Sequence, residues 1–180
     1  MSEPVWRAPG VQVYGDVRFG EGVTLWPNCV MRAEVDYVAV GDYTNIQDFS
    51  MLHIGGVPTI IGAYCSITHH ATIHGARIGD HCLIGINATV MDGAHIGDNC
   101  IVAGNSIIRE GTVIPDNSIV AGVPAKVVGT RNNYVANKMN AIAYFKNGQA
   151  YARGEYRLWA DPDYQQEMAQ LKTQLESEIA

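Results

Sequence analysis

Several features are missing from these 180 residues. No unbroken apolar run approaches the ~18 residues of a membrane-spanning helix, so no transmembrane segment is expected. Lysine and arginine form no cluster and the net charge is −6, which argues against nucleic acid as a partner. The opening MSEPVWRAPGVQVYGD has no basic region followed by an apolar stretch, so no secretory signal is expected. Cysteine occurs only at 29, 65, 82 and 100, and no two of them form C-x-x-C. That spacing argues against a zinc knuckle or a disulfide framework and suits reduced thiols in the cytoplasm. What is present is an apolar content of 47%, enough for one core with a small appendage.

A repeat of six residues organises most of the chain. Stepping by six from Ile78 meets Ile84, Val90, Ile96, Val102, Ile108, Ile114 and Val120. Stepping back meets Ile73, Ile67, Ile61, Leu52, Ile46, Val40, Val35, Cys29, Val23, Val17 and Val11. A small residue follows four positions after the aliphatic, as at Thr44, Ser50, Cys65, Ala71, Cys82, Ala88 and Cys100. This pattern predicts a parallel β-helix. Each hexad gives a short strand and a corner, three hexads give a coil of about 18 residues, and coils stack at a spacing of about 4.8 Å. Similarity to known hexapeptide-repeat proteins implies that the coil is left-handed, against the usual right-handed crossover. Cys65, Cys82 and Cys100 then read as small core residues rather than redox groups. Cys29, counted in an aliphatic slot, reads the same way.

The expected organisation is an all-β triangular prism over residues 1–130 and a helical extension over 131–180 packed on it. Tyr134, Met139, Ile142, Ala143 and Phe145 recur at helical spacing. A second helix is expected to start with Asp161 as N-cap and Pro162 as first helical residue, with Met168, Leu171, Leu175 and Ile179 along one side.

All six histidines lie between residues 53 and 95. Rotating the aliphatics over three faces puts Val11, Cys29, Ile46, Ile67, Ile84 and Val102 on a first face. Val17, Val35, Leu52, Ile73, Val90 and Ile108 fall on a second, and Val23, Val40, Ile61, Ile78, Ile96 and Ile114 on a third. His53 follows Leu52 and His74 follows Ile73, so the two imidazoles should stand side by side on neighbouring coils, placed to chelate one ion. His69 is two past Ile67, on the first face, and points away from that pair. It could complete the pair of a neighbouring chain, and a closed trimer would create three equal interfacial sites. The rhythm breaks at 35 to 40, 52 to 61 and 73 to 78, all at corners leaving the second face, and such departures tend to mark function. His70, His81 and His95 read as surface polar residues.

With NIQDFSMLHIG, ITHHATIHG and GVPAKVV on the page, the chain resembles the γ-class carbonic anhydrase family. The shared motif is N-x-Q-D, a histidine five residues on, then H-x-x-x-x-H-G. Asn45, Gln47, Asp48, His53, His69, His74 and Gly75 occupy those places. The resemblance implies that His53, His69 and His74 bind zinc, or iron or cobalt, between the subunits of a homotrimer. It implies reversible hydration of carbon dioxide to bicarbonate by a zinc-bound hydroxide, since three imidazoles leave a position open for water. Gln47 resembles a glutamine that hydrogen-bonds near that water. Arg32 resembles an arginine expected to pair with Asp48 across the interface. Tyr144 is a weaker match to a tyrosine near the metal. Glu34 stands where the family's R-x-D motif has aspartate. The short loop HIGGVPTIIG has no carboxylate where some members carry an acidic proton-shuttling loop, and His70 is a conceivable substitute. Other readings are an ester or thioester hydrolase, a hexapeptide acyltransferase with one catalytic histidine, and a metal-binding homologue with little activity.

Overall fold

Short parallel strands wind from Trp6 to Gly122 into a left-handed prism in a computed structural model that describes residues 2–179. One face is a sheet whose inward column runs Leu25, Ile46, Ile67, Ile84, Val102 and Val120. The second column is Met31, Leu52, Ile73, Val90 and Ile108. The third is Phe19, Val40, Ile61, Ile78, Ile96 and Ile114. The long strand Val30–Val40 crosses a corner and joins the second and third faces into one sheet. The aliphatics of the later coils are almost entirely removed from water, each stabilising the stack by about 1.5–3 kcal/mol. All four cysteines are free and buried. Burial pushes the Cys29 thiol up to about 12, which makes it an unreactive core group.

From Ile46 onward the columns match those read from the sequence. Val40 also falls in its expected column, but the aliphatics before it do not. Leu25, Met31 and Phe19 fill the inward slots assigned to Cys29, Val35 and Val23. Val23 and Cys29 are buried, but in the small-residue slots. Val17 pairs with Val38 on the third-face run, not with the second face. The cause is an insertion. Gly15 pairs with Ala33 and Asp16 with Tyr37, so Glu34, Val35 and Asp36 have no counterparts in the preceding coil. They bulge outward and leave Val35 87% exposed. A count by sixes cannot cross that bulge.

At the far end, Ser118–Gly122 turns back into Ala125–Thr130, which pairs with it antiparallel. The repeat therefore ends near Gly122, inside the expected prism boundary. Helix α1 (Tyr134–Ala152) lies on the first face, against Trp6–Arg7, Thr24–Leu25, Asn45–Ile46 and Ser66–Ile67. Its buried residues are Asn137, Ala141, Asn147, Gly148 and Ala150. The expected Tyr134, Met139, Ile142, Ala143 and Phe145 are only half-buried. The helix sits too close to the sheet for large side chains, and a Cβ on Gly148 would press on Thr24. Rings fill the flanks instead, as Phe145 does edge-on to Tyr43 at 5.0 Å. Helix α2 (Pro162–Glu178) begins as expected, with the Asp161 carboxylate accepting from the amides of Asp163 (2.8 Å) and Tyr164 (3.0 Å). It packs on α1 and the one-turn helix Leu158–Ala160. Among the described residues, no helix is long and apolar enough to cross a membrane.

Candidate metal centre

Strand pairing sets Arg32, His53 and His74 in one row across three coils at the end of the second face. His53 Nδ1 stands 3.0 Å from His74 Nε2. The outer nitrogen of each ring meets a carboxylate. Asp92 Oδ1 lies 2.7 Å from His74 Nδ1, and Glu34 Oε2 lies 3.2 Å from His53 Nε2. A carboxylate can only accept, so these partners assign protons to the outer nitrogens. In neutral rings the two inner nitrogens then both present lone pairs to each other. Such a contact repels unless an electrophile stands between, either a metal ion or a shared proton. Two nitrogens on one tetrahedral zinc stand about 3.3 Å apart, given Zn–N of about 2.0–2.1 Å. The pair is thus close to the spacing of a chelate, and its donor set fits zinc, iron or cobalt.

Glu34 takes part through the insertion that displaced it from the coil. Its other oxygen pairs with Arg32, so one carboxylate bridges Arg32 and His53. Burial works against its ionisation, but its own amide N–H, Arg32 and His53 hold the carboxyl below the usual range. Asp92 needs space as well as a donor. A Cβ on Gly75, which sits at φ +56°, would collide with its carboxylate, so glycine is required there. Thr59 secures the backbone beneath the pair, donating to the His53 carbonyl (2.5 Å) and accepting from the Gly75 amide (2.9 Å).

His69 lies at the other end of the second face, on the corner after Ser66–Ile67. Its Nδ1 is 3.0 Å from Asp48 Oδ2, so by the same reasoning Nε2 carries the free lone pair. His69 does not join His53 and His74 within the chain. Among the described residues, no three histidine, cysteine, aspartate or glutamate side chains converge as a metal site. Asp48 meets His69, while Arg32 meets Glu34 of its own chain. Gln47, almost fully buried, donates to Asn45 Oδ1 at 2.9 Å. Asn45 in turn donates to Ser66 Oγ at 2.9 Å, and Asn140 of α1 donates to the same oxygen at 2.8 Å. Tyr144 packs edge-on to Trp26 (5.3 Å) and Trp159 (5.5 Å) and lines a cleft of about 280 Å3 with Asp48 and His69. Burial, with Asp48 and Tyr151 adding, pushes its phenol up to about 12, so it remains an O–H donor near neutral pH.

The remaining histidines are corner or strand residues. His70, at φ +58°, stacks on Phe49 at 5.0 Å. His81 stacks on Tyr64 at 5.5 Å and is half-buried. His95 is exposed. Asp92 is the residue that sequence reasoning missed. Strand pairing sets Val90 beside Ile73, so a count by coils puts Met91 rather than Asp92 next to His74, and nothing in the spacing singles Asp92 out.

The hexapeptide model described as "Bacterial transferase hexapeptide (six repeats)" matches residues 75–110. A probable carbonic anhydrase of Methanocaldococcus jannaschii is 47% identical over 91 residues, covering 50% of this chain and 57% of that protein. Gamma carbonic anhydrase 2, mitochondrial, of Arabidopsis thaliana is 36% identical over 99 residues, covering 51% and 36%. The chain therefore spans about half or less of the length of these curated relatives. Among solved structures, a putative acetyltransferase of Bacillus cereus superposes with a TM-score of 0.78 at 31% identity, covering 81% of this chain and 87% of that one. A hexapeptide transferase family protein of Anaplasma phagocytophilum gives 0.73 at 27%, covering 81% and 92%. Repeat, fold and relatives agree: the chain belongs to the hexapeptide-repeat β-helix proteins and is similar to the γ-class carbonic anhydrases among them.

Proposed function

We propose that this protein reversibly hydrates carbon dioxide to bicarbonate as a carbonic anhydrase-like lyase. In this reading the metal is held by His53 and His74 of one chain and His69 of a neighbour in a cytoplasmic homotrimer. The observation that carries it is the facing lone pairs of His53 Nδ1 and His74 Nε2, 3.0 Å apart, with carboxylates on both outer nitrogens. When bound, zinc, iron or cobalt would supply a Lewis acid that makes water a competent nucleophile near neutral pH. The chain's own groups do the rest. Asp92, Glu34 and Asp48 each accept from one nitrogen of a histidine and leave its other nitrogen free as a ligand, which raises ligand basicity and fixes the ring. Across the interface, Gln47 next to Asp48 would offer its amide to carbon dioxide, and Arg32 would approach Asp48 of the next chain. Tyr144, protonated, would donate to an oxygen of bicarbonate from the wall of the cleft.

Metal content per chain and native oligomer mass test the assembly. Stopped-flow carbon dioxide hydration, with and without added zinc, tests the activity. About one metal per chain, a trimer mass and zinc-dependent hydration are expected. A monomer without metal overturns the reading.

A second reading, acyl transfer from an acyl thioester, is supported by the Bacillus cereus relative, titled a putative acetyltransferase. That chemistry needs one histidine base and no metal, whereas ester or thioester hydrolysis would use the same metal site as carbon dioxide hydration. Turnover of acetyl-CoA that persists in metal-free protein would favour it. A metal-bound trimer inert in both assays would leave a metal-binding homologue without this catalysis.

A further inference from the structure

Two clefts open side by side where α1 meets the turn Leu158–Ala160. The inner, about 280 Å3, reaches Trp26, Asp48, His69 and Tyr144. The outer, about 270 Å3, reaches Tyr156 and Arg157. Asn147, Tyr151 and Trp159 line both, so the two are lobes of one groove. Together they fall within the size range of small-molecule sites.

Asn147 is 6% exposed, yet among the described residues no hydrogen bond engages its carboxamide. Its carboxamide is reached only from the groove, where the two lobes join, and stands open to a ligand there. Arg157 lies exposed at the outer lobe. Nearby Arg153 pairs with Glu155 at 2.8 Å, but Arg157 has no ion pair among the described residues. The walls between are aromatic, with Tyr144 edge-on to Trp159 at 5.5 Å and Tyr151 edge-on to Tyr156 at 4.9 Å.

We propose that this groove binds a small organic carboxylate with an apolar body. Its carboxylate meets the Arg157 guanidinium and the Asn147 amide N–H, its body lies along Trp159 and Tyr151, and its far end points toward His69. The direction follows from charge. Asp48 lines the inner lobe and repels an anion there, whereas the outer lobe carries the free guanidinium. A neutral amide would satisfy Asn147 but leave Arg157 unused. The groove shares His69, Asp48 and Tyr144 with the proposed metal site but needs no metal, so its test does not depend on the carbonic anhydrase reading.

Benzoate is the probe and benzamide its neutral twin, titrated into the full chain by calorimetry with saturation-transfer NMR. Benzoate should bind at least about tenfold more tightly than benzamide, the size expected of a charge-assisted hydrogen bond. Arg157→Gln, at an exposed position, should weaken benzoate about tenfold and leave benzamide unchanged. Asn147→Ala should weaken both, with a thermal melt to verify folding. His74→Ala should leave benzoate binding intact. Equal affinity for the two probes, or no effect of Arg157→Gln, overturns the proposal. So does loss of benzoate binding in His74→Ala, because the carboxylate would then sit on the metal.

Discussion

The coils before Gly75 and those after it have the same cross-section and different jobs. From Ile78 to Val120 the sixes run without a break, and inward residues pair coil by coil. That half is a ladder with one answer at every rung. Between Val30 and Gly75 the ladder is interrupted at the Glu34–Asp36 bulge, the Ile54–Pro58 loop and the His74–Gly75 corner. Every proposed ligand, together with Arg32, Glu34 and Asp48, lies in the interrupted half. The regular half contributes Asp92, which reaches up one coil to His74. A stiff repeat thus supplies the registration, and departures from it aim the polar groups.

Substitutions on either side of that divide should separate function from stability. His74→Ala should abolish metal binding, from about one ion per chain to almost none by elemental analysis, while the fold by circular dichroism stays intact. A full metal complement in that variant would refute the ligand assignment. Ile96→Ala, in the regular half, should do the reverse. It should destabilise the chain by about 2–5 kcal/mol in denaturant melts and leave metal content per folded chain unchanged. Asp92→Asn crosses the divide. Losing the carboxylate on His74 Nδ1 should lower zinc affinity by about 10–100-fold in chelator competition. An unchanged affinity would mean that Asp92 does not orient the ring.

The smallest effect concerns pH. Burial, with Lys138 adding and Asp80 opposing, lowers the proton affinity of His81 from its ordinary 6.5. The unfolded chain therefore binds a proton more readily than the native one. His81 favours the folded state above about pH 6.5, and that contribution is lost as pH falls through its lowered native value. His81→Asn should flatten the acid side of the stability curve. Asparagine is tolerated at this corner, where His81 has φ +53° and Asn99, one coil on, has φ +57°. An unchanged acid limb in thermal melts would show that His81 contributes nothing there.

The parallel stack, its three inward columns from Ile46 onward, the start of α2 and the adjacency of His53 and His74 were all legible in the residues. Each follows from a local period that repeats without help from distant parts of the chain. Three things were not legible. The first columns were misread because the count absorbed the bulge as a short step from 35 to 40 without showing which residues leave the coil, and Val35 looks inward until its neighbours are known. The buried face of α1 was misread because apolar spacing ignores how near a helix sits to a sheet, and Gly148, Ala141 and Asn137 mark a close approach. Asp92 was missed because it looks like any surface aspartate until a coil is closed beneath His74.

What the residues determined alone was therefore periodic: the hexad, the stacking and the side-by-side imidazoles, since each depends only on spacing along the chain. Tertiary structure decided what spans coils and elements. It set Asp92 under His74, brought Glu34 between Arg32 and His53, and left Asn147 and Arg157 open on one groove. The physical reason is that a hydrogen bond depends on where two side chains end, and sequence spacing specifies only where each begins.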